Sequence, residues 1–285
     1  MDAPPRLPAL FVSHGSPMIA LEPGAAGRFL QRLGPALDAT FGRPRAVVAL
    51  SAHTLTRRPV LLAAARHETV HDFGRFDERL FDLRYDAPGA PALAPRVAAL
   101  LGAAGLDAEV ADAGGLDHGL WTALMYLWPA ADVPVLPLGW HPATPPAQLF
   151  ALGDALAPLA AEGVLVLGSG SITHNLQRVF EQGLHDRGGP EIAESAAFRA
   201  WMRSHAEARD WEALFDYRRR APHAADMHPT DEHLLPWFAA AGAGGREAVP
   251  QRLHASVSFG ALGMDAYAFG PGAGTLAAAL GGVAA

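Results

Sequence analysis

Short apolar runs alternate along this chain with longer amphipathic stretches, and that alternation restricts the fold more than any other feature. Leu10-Phe11-Val12, Ala46 to Leu50, Pro59 to Ala63, Val133 to Leu138 and Val164 to Leu167 are brief, aliphatic or β-branched, and bounded by Gly, Pro, Ser or His. Runs of that kind read as strands buried on both faces. Arg28 to Ala39, Pro91 to Ala104, His118 to Trp128, Pro146 to Ala161 and Glu191 to Ala208 read as helices. Such alternation predicts an α/β fold: a single three-layer domain with a largely parallel or mixed central sheet and helices on both faces. His254 to Phe259 and Met264 to Phe269, separated by Gly260-Ala261-Leu262-Gly263, predict a hairpin that would make the sheet mixed. No linker-like composition break or internal repeat divides the 285 residues, so residues 1–285 are expected to form one domain. Glu68 to Pro88 is the one long irregular stretch, and such stretches often cover a site.

Composition narrows the function classes. Half of the residues are hydrophobic and 18% are charged, which suits a full core and excludes a chain disordered as a whole. Lys and Arg total 22 against 29 Asp and Glu, a formal charge of −7 that argues against a nucleic-acid surface. No apolar run approaches the roughly 18 residues of a membrane span, and the residues before Leu10 lack a targeting pattern. The expectation is a soluble, cytoplasmic protein. The absence of Cys excludes disulfide scaffolds, iron–sulfur clusters, Cys-ligated zinc and thiol nucleophiles. Any metal must therefore be held by imidazole or carboxylate, and the chain carries 13 His.

Position makes some of these histidines informative. His14, His53, His141 and His174 each follow an apolar run, and ligands of open α/β sheets bind beyond the carboxyl ends of the strands. Four strand-end imidazoles could converge on one metal; equally, each could be a capping or hydrogen-bonding residue. His118 follows Asp117 at a predicted helix start, where a neutral imidazole is favoured. In Met227-His228-Pro229-Thr230-Asp231-Glu232-His233, Thr230 reads as an N-cap, which leaves His228 on the preceding loop as the better ligand candidate and puts His233 inside the helix. His67, His71, His185, His205 and His223 read as solvated surface, and His254 as packed. Gly168-Ser169-Gly170-Ser171 lacks the spacing of a dinucleotide loop and the Lys of a P-loop, so it reads as a tight turn delivering Ser171 and His174.

Taken in order, Leu10-Phe11-Val12-Ser13-His14-Gly15-Ser16-Pro17, Ser51-Ala52-His53-Thr54, Leu116-Asp117-His118-Gly119, Gly168-Ser169-Gly170-Ser171-Ile172-Thr173-His174-Asn175 and His228-Pro229-Thr230-Asp231-Glu232-His233 resemble the DOPA-dioxygenase-type extradiol ring-cleaving enzymes of the class III superfamily. The resemblance runs from His14 to about Phe269. It implies a divalent metal held at His14, His53 and His228, with His174 as acid/base and, in zinc-loaded members, a further ligand. His118 matches a histidine that touches substrate or moves protons. His141 matches nothing.

The substrate so implied is a catechol, opened outside its hydroxylated carbons by O2, with no nucleic acid or membrane as partner. Fe(II) is expected for catalysis and Zn(II) in the isolated protein, because an all-imidazole site with an open position suits zinc. The stretch His71-Asp72-Phe73 to Tyr85 is the candidate lid. Two alternatives use the same histidines: a zinc hydrolase with His174 as base, and a non-catalytic metal-binding protein. The sequence leaves the oligomeric state, the particular catechol and the physiological metal open.

Overall fold

The apolar runs become the strands of one sheet. In chain order the strands are β1 (Ala9–Ser13), β2 (Ala46–Ser51), β3 (Val60–Leu62), β4 (Glu109–Ala111), β5 (Val135–Gly139), β6 (Val164–Gly170), β7 (Gln251–His254), β8 (Val257–Ser258), β9 (Leu262–Gly263) and β10 (Ala266–Phe269). The computed structural model describes residues 6–181 and 188–281. Eight strands form a sheet of order β4-β3-β5-β2-β6-β1-β10-β7, and β8 and β9 pair separately.

The four central strands β5, β2, β6 and β1 run parallel, with Ser51 opposite Ser169 and Ser13 opposite Gly170. At one margin β3 is antiparallel to β5, and at the other β10 is antiparallel to both β1 and β7. The sheet is mixed, as the C-terminal pattern suggested. The expected hairpin differs in detail: β7 ends at His254 and pairs with β10, and the small β8–β9 ribbon occupies the connection.

Alternate residues of each strand feed two cores. Leu10, Val12, Val47, Ala49, Leu165 and Leu167 pack beneath the helices Gly24–Phe41, His118–Leu127 and Ala273–Ala279. Ala9, Phe11, Val48, Leu50, Leu136 and Val166 pack against Ala94–Ala103, Pro146–Leu156 and Leu235–Gly244. Each large aliphatic or aromatic side chain so buried contributes roughly 1.5–3 kcal/mol. A single three-layer domain results, with helices on both faces. Among the described residues no helix is long and apolar enough to cross a membrane.

Residues 68–88 stay irregular apart from one 3₁₀ turn, Glu78–Asp82, where the Asp77 side chain accepts from the Arg79 amide. This segment lies over the edge at which β1, β2 and β6 end, bonded to residues next to β4 and to the start of the His118–Leu127 helix.

Candidate metal centre

Three adjacent parallel strands deliver the strand-end histidines to one place. His14 follows β1 directly, and its amide donates to the Gly170 carbonyl at 3.0 Å. His53 follows β2, its amide donating to Ser51 Oγ at 3.1 Å. The Nε2 atoms of the two rings lie 3.2 Å apart. A third imidazole completes the group, and it belongs to His233: its ring centroid is 5.4 Å from that of His14 and 5.0 Å from that of His53. One ring nitrogen from each of the three lies within 4.8 Å of the other two.

His228, expected as the third ligand, is placed elsewhere. The predicted helix begins later than Thr230, at Leu235, and the Thr230 hydroxyl bonds the Glu232 carboxylate. His233 therefore lies on the turn before the helix and reaches the strand ends. His228 instead closes the short helix Ala224–Met227 and turns into the core, its Nε2–H donating to the Ile172 carbonyl at 2.8 Å beside Phe198. The glycines of β6 permit this arrangement. A Cβ on Gly170 would stand 2.0 Å from the His233 carbonyl oxygen, which accepts from the Ser171 amide at 2.8 Å. The Gly168-Ser169-Gly170 stretch is strand, left bare so that the His233 turn lies flush on the sheet.

Each of the three rings engages the protein through Nδ1. Ser169 Oγ donates to the Gly119 carbonyl at 2.5 Å, so at its 3.0 Å contact with His14 it accepts from Nδ1–H. His233 Nδ1–H donates to Glu232 Oε1 at 3.1 Å, and His53 Nδ1 faces Asp72 Oδ2 at 3.6 Å. A neutral imidazole that donates from Nδ1 presents a lone pair at Nε2. Burial, with the neighbouring histidines adding to it, holds His14 well below the usual imidazole pKa and brings His53 down to about 3. A divalent cation requires imidazoles that offer a lone pair, and three such ligands would leave room in its coordination sphere for substrate. The donor set fits a metal.

The two remaining sequence candidates flank this group. His118 opens the helix His118–Leu127, whose N-cap Asp117 accepts from the Leu120 amide and from the hydroxyls of Ser51 and Thr54. Its ring centroid is 4.0 Å from that of His53. The His174 ring stacks flat on His233 at 3.5 Å, and burial lowers its pKa well below the ordinary value. Above the histidines opens a cavity of about 370 Å³ walled by Phe73, Phe76, Leu176, Val179, Phe180 and Leu262.

The other histidines divide. His141 is exposed and makes none of the ring contacts of the group, its Nδ1 accepting from the Ala143 amide. His67 is not solvated: it is buried, with Nε2–H donating to the Val135 carbonyl and Nδ1 accepting from the Gly115 amide. His71 is half-buried among Phe73, Phe81 and Trp121, His205 is half-buried beside Trp201, and His223 is exposed. His254 stacks on Phe29 at 4.7 Å, packed as expected. His185 lies outside the described residues. Sequence reasoning missed His233, Ser169, Glu232 and the role of Asp72; the adjacent Glu232-His233 pair was the only local signal for any of them.

Comparison with known proteins places this geometry in a family. Residues 8–270 match the family described as the catalytic LigB subunit of aromatic ring-opening dioxygenase. The chain is 34% identical over 266 residues to a 4,5-DOPA dioxygenase extradiol of Beta vulgaris, covering 91% of this chain and 95% of that one. It is 42% identical over 174 residues to the protein of the same name from Escherichia coli K12, covering 61% and 62%. The crystal structure of an uncharacterized Escherichia coli K12 protein superposes with a TM-score of 0.74 at 29% identity, over 93% of this chain and all of the other. With its mixed sheet and its converging imidazoles, the chain belongs to the LigB-type aromatic ring-opening dioxygenases, a family of metal-dependent oxidoreductases.

Proposed function

We propose that this protein opens a catechol ring by extradiol cleavage with O2, at a divalent metal held by Nε2 of His14, His53 and His233. The observation that carries this reading is the convergence of three imidazoles at an apolar cavity sized for an aromatic ring, with His53 and His233 lining its floor and His14 buried behind them. Fe(II) bound there would supply the redox chemistry that ring opening by O2 needs, whereas Zn(II), which suits the same ligands, would not.

The chain's own residues supply the rest. Phe73 and Phe76 wall the cavity from the irregular segment, and Leu176, Val179 and Phe180 wall it from the helix Leu176–Glu181. Both sets pack on the substrate ring and exclude water from the reacting atoms. His174, neutral through burial, takes the proton of one catechol hydroxyl. His118, whose Nδ1–H is bound to Asp72, lines the same cavity and offers Nε2 as a second proton acceptor. DOPA, named for the relatives, is the first substrate to test, alongside catechols with apolar substituents.

The test is oxygen uptake by metal-free protein reconstituted anaerobically with Fe(II), with DOPA, catechol and 4-methylcatechol. One O2 consumed per catechol, with a yellow ring-opened product that contains both oxygen atoms, is the expected result. No uptake with any catechol, together with ester hydrolysis by the zinc form, would replace the dioxygenase reading with the hydrolase one.

A further inference from the structure

Asp72 sits at the start of the irregular segment, one residue before Phe73, and its carboxylate meets two of the histidines at once. Oδ1 accepts from the His118 backbone amide at 2.8 Å and from His118 Nδ1–H at 3.0 Å. Oδ2 faces His53 Nδ1 at 3.6 Å. The amide bond places an anion at the positive end of the helix His118–Leu127, where a free N–H needs a partner and negative charge is favoured. The 3.0 Å hydrogen bond sets the His118 ring, and the second oxygen, beyond hydrogen-bond length from His53 at 3.6 Å, favours a proton on the nitrogen that faces it. An imidazole held at Nδ1 by a carboxylate keeps its proton there and its lone pair at Nε2. For His53 that lone pair is the one beside Nε2 of His14; for His118 it opens onto the cavity.

We infer that Asp72 is a positioning residue that orients His53 for the metal and His118 for the proton through one carboxylate. This rests on the ring-opening reading only for the role of the proton; the orientation of both rings stands on the contacts alone. The neutral hydroxyl of Ser169 and the carboxylate of Glu232 each hydrogen-bond one ligand ring, His14 and His233, whereas Asp72 faces a ligand, His53, and hydrogen-bonds a proton acceptor, His118. It does so from the segment that also carries Phe73 and Phe76, so one stretch of chain sets the cavity wall, the metal ligand and the base.

The test uses Asp72→Asn and Asp72→Glu in the full chain, with two readouts that need no turnover. Zinc affinity is measured by competition with a chromophoric chelator, and the His118 tautomer by long-range proton–nitrogen NMR. Asp72→Asn should weaken zinc binding about 10- to 100-fold and release His118 from the pure Nδ1–H form. Asp72→Glu should recover part of both. In a His118→Ala background, Asp72→Asn should weaken zinc by the same factor, which separates the His53 contact from a general loosening of the helix start. Zinc affinity within twofold of the parent, or an unchanged His118 tautomer, would overturn the shared role. If the parent turns over no catechol, the ring-opening reading falls, while both readouts still decide the place of Asp72.

Discussion

Ser169 Oγ stands 3.0 Å from Nδ1 of His14 with its own proton committed to the Gly119 carbonyl. A neutral hydroxyl therefore fixes which nitrogen of a buried imidazole faces His53. Ser169→Ala removes the acceptor and frees the ring to flip. Zinc affinity should fall about tenfold, the low end for loss of a ligand's orienting partner, with the melting temperature little changed. Undiminished affinity in a chelator competition would show that packing alone holds the ring.

In the proposed site His233 takes the place that spacing suggested for His228. His233→Ala should abolish stoichiometric metal uptake, read by elemental analysis after dialysis, and leave the fold intact. His228→Ala should keep the metal and lose about 1–3 kcal/mol of stability, because it empties a buried site and strands the Ile172 carbonyl. The opposite pattern would return the ligand role to His228.

Gly119 lies where a side chain cannot. A Cβ there would stand 2.7 Å from Ser51 Oγ, 3.0 Å from Asp117 Oδ1 and 3.1 Å from His14 Cε1. Gly119→Ala should push the His14 ring and lower both zinc affinity and turnover, although alanine favours the helix. A gain in stability with unchanged metal binding would show that the site has slack.

Acid should destabilise the metal-free protein in a defined window. Burial brings His228 and His254 down to about 4 from the ordinary value near 6.5. Below pH 6.5 the unfolded chain takes up protons that the folded chain refuses, so stability falls from there through about pH 4; His53, at about 3, extends the fall in the same direction, and these groups contribute no slope above 6.5. For His228 the slope is at most about 1.4 kcal/mol per pH unit. Glu232, which burial raises but which the His233 contact, a backbone hydrogen bond and the Thr230 hydrogen bond together bring down to about 2, adds its loss at the acid end. Urea melts between pH 7.5 and 4.5 check the sign; a flat profile would contradict it.

The aromatic wall predicts a split in kinetic constants. Phe76→Ala removes ring contact and touches none of the histidines that Asp72 orients, so KM for 4-methylcatechol should rise several-fold while kcat changes less. A fall in kcat alone would place Phe76 in the chemistry.

The central strands were legible because fully buried parallel strands must be short and apolar; Val47, Val48, Leu165 and Leu167 carry that mark. His14, His53, His118 and His174 were legible because strand ends and a capped helix start fix where a side chain emerges. His233 was hidden by a few residues of helix phase: Thr230-Asp231-Glu232 satisfies every local rule for a helix start, yet tertiary contact of the turn with bare Gly170 decides otherwise. Asp72 was hidden because its partners are folded against it from distant segments, and no local period marks an irregular loop.

The three imidazoles come from both ends of the chain: His14 and His53 from early strands, His233 from a turn that docks across the completed sheet. A nascent chain that ends before His233 lacks the third nitrogen of the proposed site, whose place on the sheet is made by β6. Loading of that site would therefore come late, and a product truncated ahead of His233 would be released without its third ligand.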